Sequence, residues 1–262
     1  MKDLYKNNTV NAIVQARMSS SRLPGKVFLP LSGKPVLQHI IERLRRSKYI
    51  DNVIVATTTN EADNPIIQLC NKLKCKHYRG SEDDVLSRAL EAAKFYNTDI
   101  IVEVTADCPC VDGDIADRII EKLEDNDYIS NVINRTFPRG LDLQVFWTSV
   151  LERVNKEVDN EVDRQHVSTW IYKNPKTYSK YSTISYMLPR EVGNFSNLRL
   201  TLDTQEDYEL LKTIFEAFEN NIFTFSDIVS LLNMYPELPE INSGIVQKSY
   251  YKELISCQNI LH

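Results

Sequence analysis

Hydrophobic positions along this chain follow two periods in turn, and the switches between them mark out its elements. Residues 11–16 (Asn-Ala-Ile-Val-Gln-Ala) are a short apolar run that ends in a loop rich in Ser, Arg and Pro. Over residues 35–46, Val36, Leu37, Ile40, Ile41 and Leu44 recur at the spacing of one helix face. Residues 53–57 predict a buried strand, 62–73 a second helix and 76–79 a short strand. The turn at 80–84 leads into a helix through Tyr96, and 99–105 (Asp-Ile-Ile-Val-Glu-Val-Thr) predicts another strand. Continuous apolar strands between amphipathic helices predict a sheet covered on both faces. The expected class is α/β, doubly wound, with a largely parallel sheet.

The second half is less regular. Residues 128–133 predict a strand, and 139–146 follow with alternating character. Helices are expected over 148–155 and 161–172, an exposed strand over 181–187 and a buried one over 198–202. A strong helix is expected over 204–219, with Thr204 as its N-cap and Asp207 three positions on. From Tyr235 the periodicity fades around Pro236 and Pro239, so this tail is expected to be mobile or to face an oligomer partner. With no repeat or linker, residues 1–262 are expected to form a single domain.

Composition narrows the function. The 262 residues are 42% hydrophobic and 26% charged, enough to bury a sizeable core. Acidic residues outnumber basic ones, 36 to 31, which argues against nucleic-acid or anionic-membrane partners. No apolar run approaches the roughly 18–20 residues of a membrane helix, and residues 1–9 show no apolar signal core. A cytoplasmic location is expected, and the 5 cysteines read as reduced thiols. The 7 glycines include no G-x-G pair and no Walker A loop. Any phosphate site must therefore use side chains and a helix N-terminus.

In doubly wound sheets, ligands lie outside the carboxyl ends of the strands. The loop after the first strand, residues 17–26, concentrates Arg17, Ser20, Arg22 and Lys26 at that place. Guanidinium forks suit phosphate oxygens, and a lysine is a compact charge for a leaving group. Pro24 stiffens the approach to Gly25, which permits a tight turn beside the ligand. Asp107 follows the fourth strand and Asp203 follows the run 198–202. Paired carboxylates above a phosphate site are where a hard divalent ion is held.

Residues 16–26, Ala-Arg-Met-Ser-Ser-Ser-Arg-Leu-Pro-Gly-Lys, resemble the signature loop of the cytidylyltransferases that make CMP-activated acidic sugars. The spore coat polysaccharide biosynthesis protein F branch is the nearest likeness. Residues 80–86, 104–109, 138–142, 163–167 and 199–204 resemble that branch in the same order, so the likeness covers most of the chain. It implies a nucleotide-diphospho-sugar transferase (GT-A-like) fold and a homodimer, with a nucleotide-binding half over 1–125. The sugar-binding and dimerisation half would cover 126–262. The implied substrates are CTP and an acidic sugar. Arg17 and Lys26 would contact the triphosphate, and Asp107 and Asp203 would bind Mg²⁺ or Mn²⁺. Ala16, Ser20, Arg22, Ser81, Asp83 and Thr105 would complete the nucleotide site, with Thr105 where the ketodeoxyoctonate enzymes carry a glutamine.

Arg139, Arg164 and His166 are the candidate clamp for a sugar carboxylate, with Asp142 and Gln144 beside them. Gln144 and Gln165 stand where the branch motif carries acids. Two rival readings share the fold: a nucleotidylyltransferase for a sugar 1-phosphate or alditol phosphate, and a non-catalytic nucleotide- or sugar-binding protein.

Overall fold

A computed structural model describes residues 7–173, 180–218 and 221–247, and in it one seven-stranded sheet runs through both halves of the chain. Its strands are β1 (Val10–Gln15), β4 (Asn52–Thr58), β5 (Lys76–Gly80), β6 (Ile100–Thr105), β7 (Tyr128–Ser130), β8 (Gln144–Trp147) and β9 (Thr183–Ser185). A separate two-stranded ribbon joins β2 (Pro30–Leu31) to β3 (Lys34–Pro35). The sheet order is β5-β4-β1-β6-β8-β7-β9. β5, β4, β1 and β6 are mutually parallel, and β8 alone runs against its neighbours. The sheet is therefore largely parallel, as the continuous apolar strands predict.

Helices cover both faces. Ile13, Ile54, Ile101, Tyr128 and Phe146 face α3 (Val85–Phe95) and α5 (Thr148–Glu157). Alternate residues such as Ala12, Val14, Val55 and Val102 face α1 (Val36–Leu44), α2 (Asn64–Lys72), α4 (Gly113–Glu121), α8 (Gln205–Ala217) and α9 (Phe225–Met234). The order reverses at β1, which has β4 on one side and β6 on the other. Loops leaving β1 and β6 therefore diverge and open a crevice at their carboxyl ends.

The second half departs from its sequence pattern in three places. Residues 161–172 form two short helices, α6 (Glu161–Gln165) and α7 (Thr169–Lys173). Val167 between them has φ 48°, a left-handed conformation that costs a β-branched residue energy and breaks the helix. Residues 198–202 are extended, with Leu200 and Leu202 buried, but join no sheet; only an isolated bridge pairs Arg199 with Arg139. Gly140, at φ 97°, permits that approach, because an added Cβ would stand 2.2 Å from the Leu200 carbonyl oxygen. The tail from Tyr235 is anchored to the fold at Asn242, although most of its residues as far as Gln247 stay exposed, Val246 at 86%. Its 3-10 helix Leu238–Asn242 carries a buried Asn242 that donates to the Arg199 carbonyl at 3.0 Å and to Asp207 at 2.9 Å. Residues 248–262 lie outside the described residues.

The structure adds α4, α9 and the ribbon to the elements the pattern predicts. The Thr204–Asp207 capping box forms as expected at the start of α8, and a second box, Thr224–Asp227, starts α9.

Candidate active site

The basic loop after β1 is anchored from below. Asp63 is buried and accepts from the Met18 backbone N–H at 2.7 Å, while Thr57 and Thr58 on β4 donate to its other oxygen. The Gly25 N–H closes the loop by donating to the Met18 carbonyl at 3.0 Å. Gly25, at φ 68°, then caps a 3-10 turn, Lys26–Phe28. That turn aims Lys26 inward.

Lys26 Nζ donates to Asp107 Oδ2 at 3.0 Å, to Asp203 Oδ1 at 2.9 Å and to the Leu202 carbonyl at 2.9 Å. Two aspartates 96 positions apart in the chain thus grip one ammonium. The backbone explains how: the Leu202 N–H donates to the Asp107 carbonyl at 2.8 Å, pinning the extended segment against the loop after β6. Asp203 also receives Arg22 at 2.9 Å and Arg199 at 2.9 Å, and Arg199 is itself held by Asp207 through Nε at 2.8 Å. Burial pulls the Lys26 ammonium down, but Asp107 and Asp203 outweigh it and hold it above the ordinary lysine value. Burial likewise pushes the Asp107 carboxyl up, and Lys26 with the Thr105 hydroxyl overrides it and keeps it low. This is a charged, balanced cluster at the switch point.

The cluster opens into a cavity of about 410 Å³. One end carries the loop residues Ala16, Arg17, Ser20, Arg22 and Lys26 with Thr105, Asp107 and Asp203. The other end is lined by Glu103, Gln144, Gln165, His166, Val167 and Thr169. Arg88 of α3 forms part of the wall and donates to Gln15 Oε1 at 3.1 and 3.2 Å; burial lowers its guanidinium to about 10. Glu103 is 4% exposed, and burial pushes its carboxyl up to about 7 against the effect of the Ser168 hydroxyl. The sequence carries its signal, one acid within the run Ile-Ile-Val-Glu-Val.

Arg17 lines the cavity from its exposed rim, 3.8 Å from Glu82, and several other expected residues stand elsewhere. Ser81 and Asp83 are exposed on the turn before α3 and do not line the cavity; Glu82, between them, is tied to Ser19 at 2.8 Å. Arg164 lies outside the cavity lining, with its guanidinium held by Asp84 Oδ2 at 2.8 Å, the Val158 carbonyl at 2.6 Å and Asn155 Oδ1 at 2.7 Å. It joins α6 to the N-cap of α3. Asp142 also lies outside, in a two-bond pair with Arg135 at 2.5 and 3.0 Å. Arg139 is half-buried beyond the lining, and burial, with Arg135 nearby, lowers its guanidinium.

The donor set suits a hard divalent ion, because Asp107 and Asp203 already share one cation through carboxylate oxygens. Among the described residues no group of three or more His, Cys, Asp or Glu could hold a metal. Mg²⁺ commonly takes only one or two protein carboxylates and completes its shell with phosphate oxygens and water.

A switch-point crevice with a basic loop, a half-buried lysine and two converging carboxylates defines a nucleotidyltransferase-type α/β enzyme. The chain belongs to the cytidylyltransferase family, whose model matches residues 11–230. It is a CTP-dependent nucleotidyltransferase. It is 38% identical over 240 residues to the uncharacterized protein MJ1063 of Methanocaldococcus jannaschii, covering 91% of this chain and 96% of that one. It is 31% identical to the spore coat polysaccharide biosynthesis protein SpsF of Bacillus subtilis, over 88% of this chain and 96% of that one. A 117-residue stretch is 32% identical to the 3-deoxy-manno-octulosonate cytidylyltransferase of Pelobacter propionicus, 45% of either chain. The solved structure of a cytidylyltransferase from Leptospira borgpetersenii superposes with a TM-score of 0.83 at 33% identity, covering 92% of this chain and 100% of that one. No helix among the described residues is long and apolar enough to cross a membrane.

Proposed function

We propose that this enzyme transfers CMP from CTP to an acidic sugar of the 2-keto acid type, releasing pyrophosphate, for surface polysaccharide or glycan biosynthesis. The observation that carries the transfer is Lys26 held between Asp107 and Asp203 at one end of a two-ended cavity. The acidic acceptor is supported by the relatives named for spore coat polysaccharide and for 3-deoxy-manno-octulosonate.

The acceptor hydroxyl gives up its proton to solvent as its oxygen forms a bond to the α-phosphorus, the bond from that phosphorus to the bridging oxygen breaks, and pyrophosphate leaves with the electron pair. Lys26, Arg17 and Arg22 stand where the departing charge develops, so catalysis rests on positioning and electrostatics. Mg²⁺ bound by Asp107 and Asp203 would supply charge neutralisation on the triphosphate. Lys26 now fills the place between these carboxylates, so on loading it turns toward the phosphates. His166 lines the same cavity, which supports its assignment to the acceptor.

The test is pyrophosphate release from each nucleoside triphosphate against a panel of ketodeoxyoctonate, nine-carbon keto-acid sugars and sugar phosphates. Turnover with CTP and a keto-acid sugar is expected. Turnover confined to sugar phosphates would replace the acceptor class, and no turnover with any pair would overturn the reading.

A further inference from the structure

The acceptor end of the cavity contains a carboxyl that the transfer chemistry does not use. Glu103 sits on β6 on the face that otherwise packs Ile13, Ile101 and Tyr128 against helices. A charge-bearing side chain in such a layer is costly unless it is paired. No cation pairs with Glu103 among the described residues. Gln144 Nε2 donates to it at 3.3 Å, and the Ser168 hydroxyl, which donates its proton to Gln144 Oε1, stands beside it. A carboxylate offers about four acceptor sites, so acceptor capacity is left over.

The surroundings fix this carboxyl and keep it facing the cavity. Gln144 Oε1 accepts from Tyr128 at 2.7 Å and from Ser168 at 2.8 Å, which orients the amide so that its NH₂ meets Glu103. Ser168 follows Val167, the residue at φ 48°, so the backbone is strained where it delivers that hydroxyl. A second unmet group stands nearby. Gln15 Nε2 is buried with no hydrogen-bond partner, and Gln15 lines the same cavity. In the β1–β6 register Glu103 lies opposite Ile13 and Gln15 opposite Thr105, one diagonal step away on the same face. Diagonal neighbours stand roughly 7–8 Å apart, a span that several carbons of a polyol cover.

We infer that Glu103 is a specificity-determining residue that accepts a hydrogen bond from a hydroxyl or ammonium on the acceptor sugar's tail, remote from its reacting centre. Gln15 supplies a matching donor to a neighbouring oxygen. The inference rests on the proposed function and names the acceptor's recognised part: a polyhydroxy chain, or its amino-substituted form, at the end away from the triphosphate.

The experiment uses the intact enzyme with CTP, Mg²⁺ and whichever panel acceptor turns over. Its arms are that acceptor, its tail-deoxy analogue and its tail-amino analogue; for 3-deoxy-manno-octulosonate the last is the 8-amino-3,8-dideoxy sugar. Glu103→Gln keeps the side chain's size, so its melting temperature at neutral pH should not fall. It should raise the acceptor KM roughly 10- to 100-fold, the usual worth of a hydrogen bond to a charged group, and leave the CTP KM within about twofold. Wild type should discriminate against the deoxy analogue, and the variant should not. A preference for the amino analogue, lost in the variant, would identify the ammonium as the partner; a preference for the parent would identify the hydroxyl. An unchanged acceptor KM overturns the inference while leaving the transfer reading intact. A lower melting temperature with parallel losses for CTP and acceptor overturns it in favour of a structural role. Absence of turnover with every acceptor removes the reading on which it rests.

Discussion

The two ends of the cavity solve opposite electrostatic problems. At the phosphate end, Lys26, Arg22 and Arg199 neutralise Asp107 and Asp203 before any ligand arrives. At the end proposed for the acceptor, Glu103 is almost fully buried and is balanced by neutral amide and hydroxyl groups alone. The first end is stable as it stands and must give up contacts to load. The second retains an unmet acceptor that a ligand can fill. The contrast separates residues that move charge during the reaction from residues that choose its partner.

The largest effects should come from breaking the phosphate end. Asp107→Asn, Asp203→Asn and Lys26→Ala should each lower kcat/KM by roughly 10²-fold or more while the protein stays folded. If the two aspartates hold the one ion proposed for them, their variants should combine non-additively. Near-wild-type turnover in any of the three, measured by pyrophosphate release, would contradict the assignment.

Next in size is an effect on metal affinity. Lys26 occupies the position between the carboxylates, so removing it leaves two like charges without their bridging cation. Lys26→Ala should therefore bind Mn²⁺ without nucleotide at least about tenfold more tightly than wild type, as read by calorimetry. Equal affinity would mean that the ammonium and the ion do not compete.

Stability should respond to pH through the acceptor end. Glu103 titrates near 7 in the folded chain against an ordinary value of 4.5. The folded state thus holds its proton over that interval and the unfolded state does not. The stability from this group is fully present below about 4.5 and is lost as pH rises through about 7. Denaturant midpoints of Glu103→Gln should lack this decline, and parallel curves for the two proteins would refute it.

A smaller and purely structural effect is expected at Arg164. Its three polar partners join α6, α5 and the cap of α3, so Arg164→Ala should cost about 1–3 kcal/mol of stability. The acceptor KM should change little. A large KM increase with an unchanged melting temperature would return Arg164 to the sugar clamp.

The parallel half of the fold was legible because each strand is an uninterrupted apolar run and each helix a clean stripe, as in 53–57 and 35–46. The basic loop and Asp107 were legible for the same reason, because the ends of β1 and β6 were clear, whereas Asp203 was picked out by a run with a strand's composition that joins no sheet. Less of the second half was legible. The pattern over 161–172 fits one helix, and nothing in Gln165-His166-Val167-Ser168 announces a left-handed valine, which tertiary contacts impose. The run 198–202 has a strand's composition but is buried by pinning to Asp107 and Arg139 instead of sheet pairing. Arg164 and Asp142 look free in sequence, and only the fold reveals that Asp84 and Arg135 occupy them. Glu103 was visible as an acid inside an apolar strand, a signal easily outweighed by the strand around it.

The most direct test of the account is the fate of each phosphate of CTP during turnover with the acceptor, followed by ³¹P NMR in wild type and Asp203→Asn. Wild type should give one CMP-sugar phosphodiester and one pyrophosphate per CTP consumed, only when Mg²⁺ or Mn²⁺ is present, and the variant should give neither product. Release of orthophosphate or CDP, or equal product in chelator, would contradict it.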